Sequence, residues 1–507
     1  MSAQLLLLFV VGYFALLLGV AWYTSRNSNN DSFFIGNKNS NWMLVAFGMI
    51  GTSLSGVTFV SVPGGVGSGN FFYYQIVLGY LLGYLVIAFV LLPLYYKMNL
   101  TSIYTYLEKR FGINAHKAGA FFFILSRTVG ATARLYLVIS VLQIFIFNKL
   151  GIPFYATTLV ILLLILLYTF EGGVKTIIYT DTLQTTGMLV GLVVCIIVIT
   201  KALGTDLGGA WTMMSDKGYT QIFNWDVNSG SFALKHIVGG MFIAIAMTGL
   251  DQEMMQKNIS VRNLKDSQKN MITFSVIMVF VNLLFLLLGG LLYIYAFNNG
   301  AAFTTNLADN KEVFGLYHNQ LNITGDNLFP SIALGLFQQM PVIISVIFII
   351  ALISALFPSA DGALTALTSS FCIDILGLKE RQDMSEKQKR NTRLTVHFTM
   401  TVIFFLCILI FREINSRSII DKILDLAGYT YGPLLGLFAF GILTKRSLPN
   451  SIIIALIALA SPVLCYLLQT NSAAILGGYK IGIEILLVNG TLTFLGLLII
   501  SKKSAIE

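Results

Sequence analysis

The sequence predicts an all-α integral membrane protein of about 13 transmembrane helices, and three observations carry that prediction. Of its 507 residues 56% are hydrophobic and only 11% are charged, and the mean hydropathy is +0.80. A water-soluble chain of this length could not hide so much apolar surface. The apolar residues also fall into runs of about 20 or more, the length that spans a bilayer at 1.5 Å of helix per residue. Finally, the remaining positive charges are unevenly shared between the connections, as the positive-inside rule requires.

Taken in order, the runs cover approximately residues 4–24, 41–69, 71–97, 115–148, 152–170, 174–202, 232–251, 270–298, 335–376, 390–412, 416–444, 447–468 and 480–501. Met1–Tyr23 reads as a retained first span, because it lacks the basic leading region and the A-x-A site of a cleaved signal. With the N-terminus outside, about 21 of the 32 Lys and Arg residues, Lys257 among them, collect in inside segments and about nine outside. The net charge of +9 then belongs to cytoplasmic loops, and no nucleic-acid surface is needed to explain it. The implied location is the cell (plasma or inner) membrane, multi-pass, N-terminus outside and C-terminus cytoplasmic. Cys195, Cys372, Cys407 and Cys465 stand singly in apolar runs without metal-binding spacing, which makes them packing residues.

Two spans are interrupted. The second, VAFGMIGTSLSGVTFVSVPGGVGSG, carries Gly48, Gly51, Gly56, Gly64, Gly65 and the polar pair Thr52-Ser53. A break near Gly51–Ser55 would turn backbone carbonyls and a half-helix N-terminus into the protein centre, as discontinuous helices do in secondary transporters. Gly64-Gly65 suits a tight helix–helix contact instead. The span at 232–251 is punctuated by Gly239, Gly240 and Gly249 and ends in Asp251, Gln252 and Gln256 at the cytoplasmic side. Each interrupted span opens a block of five. The chain therefore divides into a leading helix and inside loop (1–40), a first five-helix repeat (41–202), an outside loop (203–231), a second repeat (232–444) and two trailing helices (445–507). Matching broken helices in two halves are the mark of an inverted-repeat transporter.

Several charges lie at membrane depth. Arg127 and Arg134, seven apart, share one helix face, and arginines at that depth are paired or hold an anion. A structural partner such as Asp181 and a carboxylate-bearing substrate both remain open, with Arg134 facing a cavity and Arg127 snorkelling toward the cytoplasmic end. Asp181 stands about nine residues, or ~13 Å of helix, past Gly172-Gly173. That is too deep for a helix cap, so it reads as buried and functional. Asp425 and Tyr429, one turn apart, face either the substrate cavity or an outer vestibule.

The stretch Leu352–Ile375, LISALFPSADGALTALTSSFCIDI, puts Pro358, Asp361, Asp374 and a run of hydroxyls inside an apolar span. An uncompensated charge there costs at least ~2.5 kcal/mol. On a helix Ser354, Pro358, Asp361 and Thr365 share a face, with Ala355, Ser359 and Gly362 on the adjoining one. Pro358 frees the carbonyl of Ser354. Such oxygens suit a hard cation; hydroxyls bonded back to their own helix are the other reading.

SLSGVTFVSVPGG, LPLYYKMNLTSIYTYLEKRFG, EGGVKTIIYTDTLQT, GLDQEMMQKN, SADGALTALTSSFCIDI and GYTYGPLLGLF, in this order and spacing, resemble the sodium/solute symporter family of sodium–glucose, sodium–proline and sodium–sialic acid cotransporters. The resemblance runs from about Asp31 to Arg446. It implies five-plus-five inverted repeats behind one leading helix. It also implies a sodium site made of the carbonyls of Gly51, Leu54 and Ala355 and of hydroxyls at positions 358 and 359. Ser359 fits that pattern and Pro358 departs from it. A second cation site, used by some members, implies Asp181 with positions 358, 361 and 362, where this chain places Asp361. Two converging carboxylates call for a cation between them. Sodium, or sodium with a proton, held by Asp181 and Asp361 would replace the ligand lost at Pro358; a salt bridge from either carboxylate to Arg134 is the rival. Arg134 resembles in depth and span the carboxylate-binding arginine of the sialic-acid members. Ser53, Thr58, Gln75, Arg134 and Asp425 are the expected cavity wall. Ser55–Thr58 lacks the acidic and amide side chains found there in sugar-transporting members.

The expected function is a sodium-coupled secondary active symporter that imports a small organic solute, a carboxylate-bearing one being the leading class, by alternating access. Sodium is the coupling ion, membrane lipid the surroundings and a monomer the functional unit. No nucleotide motif, metal-ligand cluster or nucleophile–base pair points to an enzyme. A proton-coupled transporter of the same fold, a leak channel and a sensor that has lost coupling are the alternatives. Such sensors usually carry a fused soluble domain, whereas this chain ends at Glu507, shortly after its last span.

Overall fold

The structure, a computed structural model, describes residues 3–24, 33–34, 38–169, 173–308, 311–318, 321–334, 342–414, 419–479 and 481–503. In order its principal helices are α1 (Ala3–Thr24), α2 (Trp42–Ser53), α3 (Gly56–Gly69), α4 (Tyr73–Lys97), α5 (Thr105–Phe111), α6 (Ile113–Leu150), α7 (Phe154–Thr169) and α8 (Gly173–Ala202). They continue as α9 (Leu207–Asp216), α10 (Ala233–Gly249), α11 (Gln252–Ile259) and α12 (Leu264–Asn298). After a small sheet come α13 (Gly325–Ala333), α14 (Val342–Ser370), α15 (Glu386–Ile414), α16 (Ile419–Leu443), α17 (Ile453–Thr470), α18 (Ser472–Ile475) and α19 (Ile485–Ile500).

Among the described residues nine helices are long and apolar enough to cross a membrane, or up to eleven if each of two bent pairs counts as one span. The bent pairs are α2–α3, at 56°, and α10–α11, at 65°. Two shorter apolar helices, Phe154–Leu167 and Ile485–Ile500, stand beside them. Helices dominate because in hydrocarbon every backbone polar group must be satisfied within its own segment.

The all-α expectation is corrected in one place. The Asn-rich connection after α12 holds a three-stranded antiparallel sheet in the order β1 (Ala302–Ala308), β2 (Lys311–His318), β3 (Leu321–Thr324). Ala302 pairs with Tyr317 and Ala308 with Lys311 across the first hairpin. This connection lies between two spans, so its strands can satisfy one another outside the apolar layer.

Glycines set the closest helix crossings. A Cβ built on Gly79 of α4 would stand 2.1 Å from the Ile237 carbonyl of α10, and one on Gly240 would stand 2.3 Å from the Ile76 carbonyl. Backbone touches backbone there, as small residues allow between membrane helices. A Cβ on Gly64 of α3 would stand 2.0 Å from the Gly325 carbonyl oxygen, whereas one on Gly65 would meet nothing within 4 Å. Gly79→Val is therefore expected to destabilise the purified protein by about 1–3 kcal/mol through overpacking. Gly65→Ala should leave the melting temperature unchanged within error.

Prolines leave their mark on the carbonyl four residues earlier. In α16 Pro433 removes the bond that the Tyr429 carbonyl would accept. Asn489 of α19 takes its place, donating from Nδ2 to that oxygen at 2.8 Å and to the Gly428 carbonyl at 3.0 Å. In α14 the helix runs unbroken through Pro358.

Candidate functional site

The first bend begins where α2 runs out of bulk. Gly51 and Thr52 are buried, and Leu54 leaves the helical region at φ −87°, ψ 84°, after a last bond to the Ile50 carbonyl. The glycine at 51 is required by its surroundings: a Cβ there would meet Thr185 Oγ1 of α8 at 2.2 Å and Pro358 Cγ of α14 at 3.4 Å. The bend, α8 and α14 thus converge on one point. α8 and α14 run antiparallel past it. Would-be Cβ atoms at Gly191 and Gly187 meet Ala351 and Ser354, and the same register carried nearly two turns further brings Asp181 level with Asp361.

The second bend is built from polar residues. Asp251 caps α11, its Oδ1 accepting from Met254 N at 3.2 Å. All eight residues of α11 are buried, Glu253 and Lys257 at 2% exposure each. Sequence reasoning ends this span at Asp251 and counts Lys257 among the charges of an inside segment; the structure continues the span as a buried half-helix, with Lys257 inside the protein. The chain re-enters the protein as a half-helix. Its backbone is held by tyrosines from the α4–α5 corner. Tyr95 donates to the Gly249 carbonyl at 2.8 Å and Tyr104 to the Leu250 carbonyl at 2.9 Å. Tyr96 reaches the carbonyls of Asn258 and Val261, at 2.9 and 2.8 Å. The Gln252 amide joins the Ile103 N–H and the Thr101 carbonyl.

Between the bends lies a cluster of buried charges. Arg127 of α6, 4% exposed, pairs through Nη2 with Glu253 and lies 3.8 Å from Asp251 Oδ2, which also accepts from Tyr431 at 2.8 Å. The snorkelling expected of Arg127 is thereby corrected: its partners lie within the protein. Lys257 Nζ lies 2.6 Å from Asp181 Oδ2, 2.5 Å from Thr52 Oγ1 and 3.7 Å from Glu253 Oε1. Asp361, fully buried, is within Coulombic reach of Lys257. Arg134 makes no ion pair among the described residues, so the salt bridge weighed between it and Asp181 is replaced by one to Lys257.

A cavity of about 100 Å³ opens beside this cluster. Thr52, Ser53, Leu54 and Ser55 line it from the first bend, Thr248 and Met254 from the second, and Arg127 and Arg134 from α6. Tyr84 lines the cavity together with Ser53 of the first bend and Thr248 of the second. Of the expected wall, Ser53, Thr58 and Arg134 face the cavity. Gln75 lies elsewhere, its Nε2 donating to the carbonyls of Phe72 and Ser231, and its Oε1 accepting from Asn224 N. Asp425 sits beside Leu426 and Thr430, which line a smaller pocket under the two arginines.

Of the expected cation ligands, Gly51 and Leu54 stand at the first bend and Ala355 and Ser359 on the facing turn of α14, all buried. The Ser359 hydroxyl donates to the Leu356 carbonyl at 3.0 Å, which leaves its oxygen lone pairs for another partner. Asp361 Oδ1 accepts from Gly362 N at 2.5 Å. The residues that sequence reasoning missed are Lys257, Glu253, Tyr84 and Asn282. Only GLDQEMMQKN, with an Asp followed by polar residues on either side of Met254-Met255, hinted at the first two.

The model of the sodium:solute symporter family matches residues 33–458. The chain is 26% identical over 462 residues to the sodium/sialic acid symporter NanT of Aliivibrio fischeri, covering 89% of this chain and 85% of that protein. To the sodium/sialic acid symporter SiaT of Proteus mirabilis it is 24% identical over 454 residues, covering 88% and 86%. It superposes with a TM-score of 0.80 and 21% identity, over 98% of this chain and 99% of the other, on a Na+-coupled sialic acid symporter in a substrate-bound, outward-open state described as revealing a novel Na+-site. At that identity the likeness is one of fold.

Proposed function

The chain belongs to the sodium:solute symporter family, and on that premise we propose that it imports a small carboxylate-bearing organic solute with sodium by alternating access. The observation that carries this reading is one cavity lined from both helix bends, with Arg134 in its wall and without an ion-pair partner among the described residues. A guanidinium so placed offers a planar, two-pronged grip on a carboxylate. Ser53, Thr58 and Asn282 add neutral hydrogen-bonding groups around it.

The remaining architecture follows from the same reading. The nine long helices, two bent pairs and two shorter apolar helices among the described residues support a reading of thirteen spans, arranged as one leading helix, two inverted repeats of five (41–202 and 232–444) and two trailing helices. The N-terminus lies outside and the C-terminus in the cytoplasm, in the plasma or inner membrane, with a monomer as the functional unit. Sodium is held by the carbonyls of Gly51, Leu54 and Ala355 and the Ser359 hydroxyl, with Asp361 and Asp181 supplying negative charge on the flank. Oxygens of this kind suit a hard monovalent cation. Binding ties the first bend to α14, and the membrane potential adds about 2.3 kcal/mol per charge per 100 mV.

Sodium at 100 times its Kd should raise the stability of the purified protein by about 2.7 kcal/mol, read as a higher melting temperature, and potassium should not. Ser359→Ala should weaken the sodium midpoint roughly tenfold, the loss of about 1.4 kcal/mol. A wild type indifferent to sodium but stabilised by a change of pH would favour the proton-coupled alternative, for which the buried carboxylates Asp181 and Glu253 are the specific support.

A further inference from the structure

The ammonium of Lys257 stands where the reading above leaves room for another cation. It reaches across from α11 to a carboxylate oxygen of α8 at 2.6 Å and a hydroxyl oxygen of α2 at 2.5 Å. A carboxylate and a threonine hydroxyl are also the kind of oxygens that a sodium ion collects. The lysine is 2% exposed, and burying an ammonium costs several kcal/mol unless opposite charge surrounds it. Asp181, Glu253 and Asp361 provide that charge. Two monovalent cations about 4 Å apart would repel by about 4 kcal/mol at an effective dielectric of 20, so the ammonium and a metal ion exclude one another here.

A second, independent observation shows that the position has more oxygen to offer than Lys257 uses. Asp181 Oδ1, Gln184 Oε1 and Thr185 Oγ1 are buried without a hydrogen-bond partner among the described residues. The three residues are fully buried and lie at i, i+3 and i+4 on one face of α8. Unpartnered acceptors at this depth are costly, and each would serve as a ligand for a bare cation.

We propose that Lys257 is a tethered cation that holds the Asp181–Thr52 position in place of a second sodium ion, so that the protein binds a single sodium, at the Gly51–Leu54–Ala355–Ser359 site. The inference rests on the sodium-coupled reading and adds a stoichiometry to it. Lys257 is here a positioning residue: its ammonium is covalently tethered and its stem belongs to the second bend, so the link from α11 to α2 and α8 persists whether or not sodium is bound.

The test is equilibrium binding of radioactive sodium to the purified full-length protein, counting ions per chain for wild type, Lys257→Met and Lys257→Met/Asp181→Asn. The expected counts are one, two and one. A merely structural salt bridge would lower the melting temperature of Lys257→Met without adding an ion, and one ion on both wild type and Lys257→Met overturns the proposal. Two ions on the wild type overturn it as well, and that count needs no variant to fold. No ion on either protein sinks the sodium reading itself, and the inference with it.

Discussion

Arg127→Ala should lower the stability of the folded protein by about 3–5 kcal/mol, the cost of leaving a buried charge without its partner. Arg127 is 4% exposed, Glu253 2% and Asp251 0%, so water cannot replace the lost guanidinium. Truncation leaves Glu253 facing only Lys257, at 3.7 Å, and leaves Asp251 with the Tyr431 hydroxyl and the Met254 N–H. Removing the charge from both sides is gentler, because a buried pair replaced by apolar groups is often neutral. The double variant Arg127→Ala/Glu253→Ala should therefore fall short of the sum of the single losses by about 2 kcal/mol or more. Thermal unfolding of the purified protein measures all three. Strict additivity would show that the two residues do not act as a pair. The geometry adds a constraint from the far side: a Cβ on Gly362 of α14 would lie 2.2 Å from Glu253 Oε1, so the carboxylate has no room to swing toward α14.

Arg134→Met should reduce the affinity for a carboxylate-bearing solute by about 100-fold while leaving sodium binding within about twofold. A charge-assisted hydrogen bond contributes about 1.5–3 kcal/mol, and a two-pronged contact places the loss near 2.7 kcal/mol, or two decades. Methionine keeps most of the stem volume, and Arg134 has no ion-pair partner to strand among the described residues, so folding should survive. The readout is sodium-dependent uptake of a panel of anionic and neutral solutes into vesicles, with the melting shift by sodium as the control. An equal loss for neutral solutes would move Arg134 from solute recognition to maintenance of the cavity. Loss of the sodium shift would place it in the ion site instead.

The membrane class and the first bend were legible because both are written in local chemistry. Apolar runs long enough to span hydrocarbon admit few other folds, and Gly51–Ser55 interrupts one of them with residues that have no reason to face lipid. The second bend was only half legible. Its glycines were visible, but Gln252–Ile259 is mostly polar, and polarity alone cannot distinguish a solvated loop from a half-helix lodged among partners. Lys257 reads as an inside-segment charge for that reason; its partners, Thr52 and Asp181, are 205 and 76 residues away. Gln75 shows the complementary difficulty. An amide in a membrane span must bond to something, but the sequence does not say whether to a ligand or, as here, to the loop backbone at Ser231 and Asn224. The sheet at Ala302–Thr324 went unread because Asn and Gly dominate the ends of that loop and mask the short strands between them.

The three tyrosines at the second bend have a mechanical meaning. Their hydroxyls hold carbonyls on both sides of the kink, at Gly249 and Leu250 before α11 and at Asn258 and Val261 at its far end. That kink is a welded elbow. It cannot straighten without stranding four oxygens, and it travels as one piece with the corner that carries Tyr95, Tyr96 and Tyr104. At the other kink Ser55 gives α3 no side-chain cap, and the turn rests on small residues. Of the two elbows one is locked and the other is not, so in the alternating-access cycle proposed above the moving arm would be α3, hinged on a frame in which Lys257 joins α11 to α2 and α8.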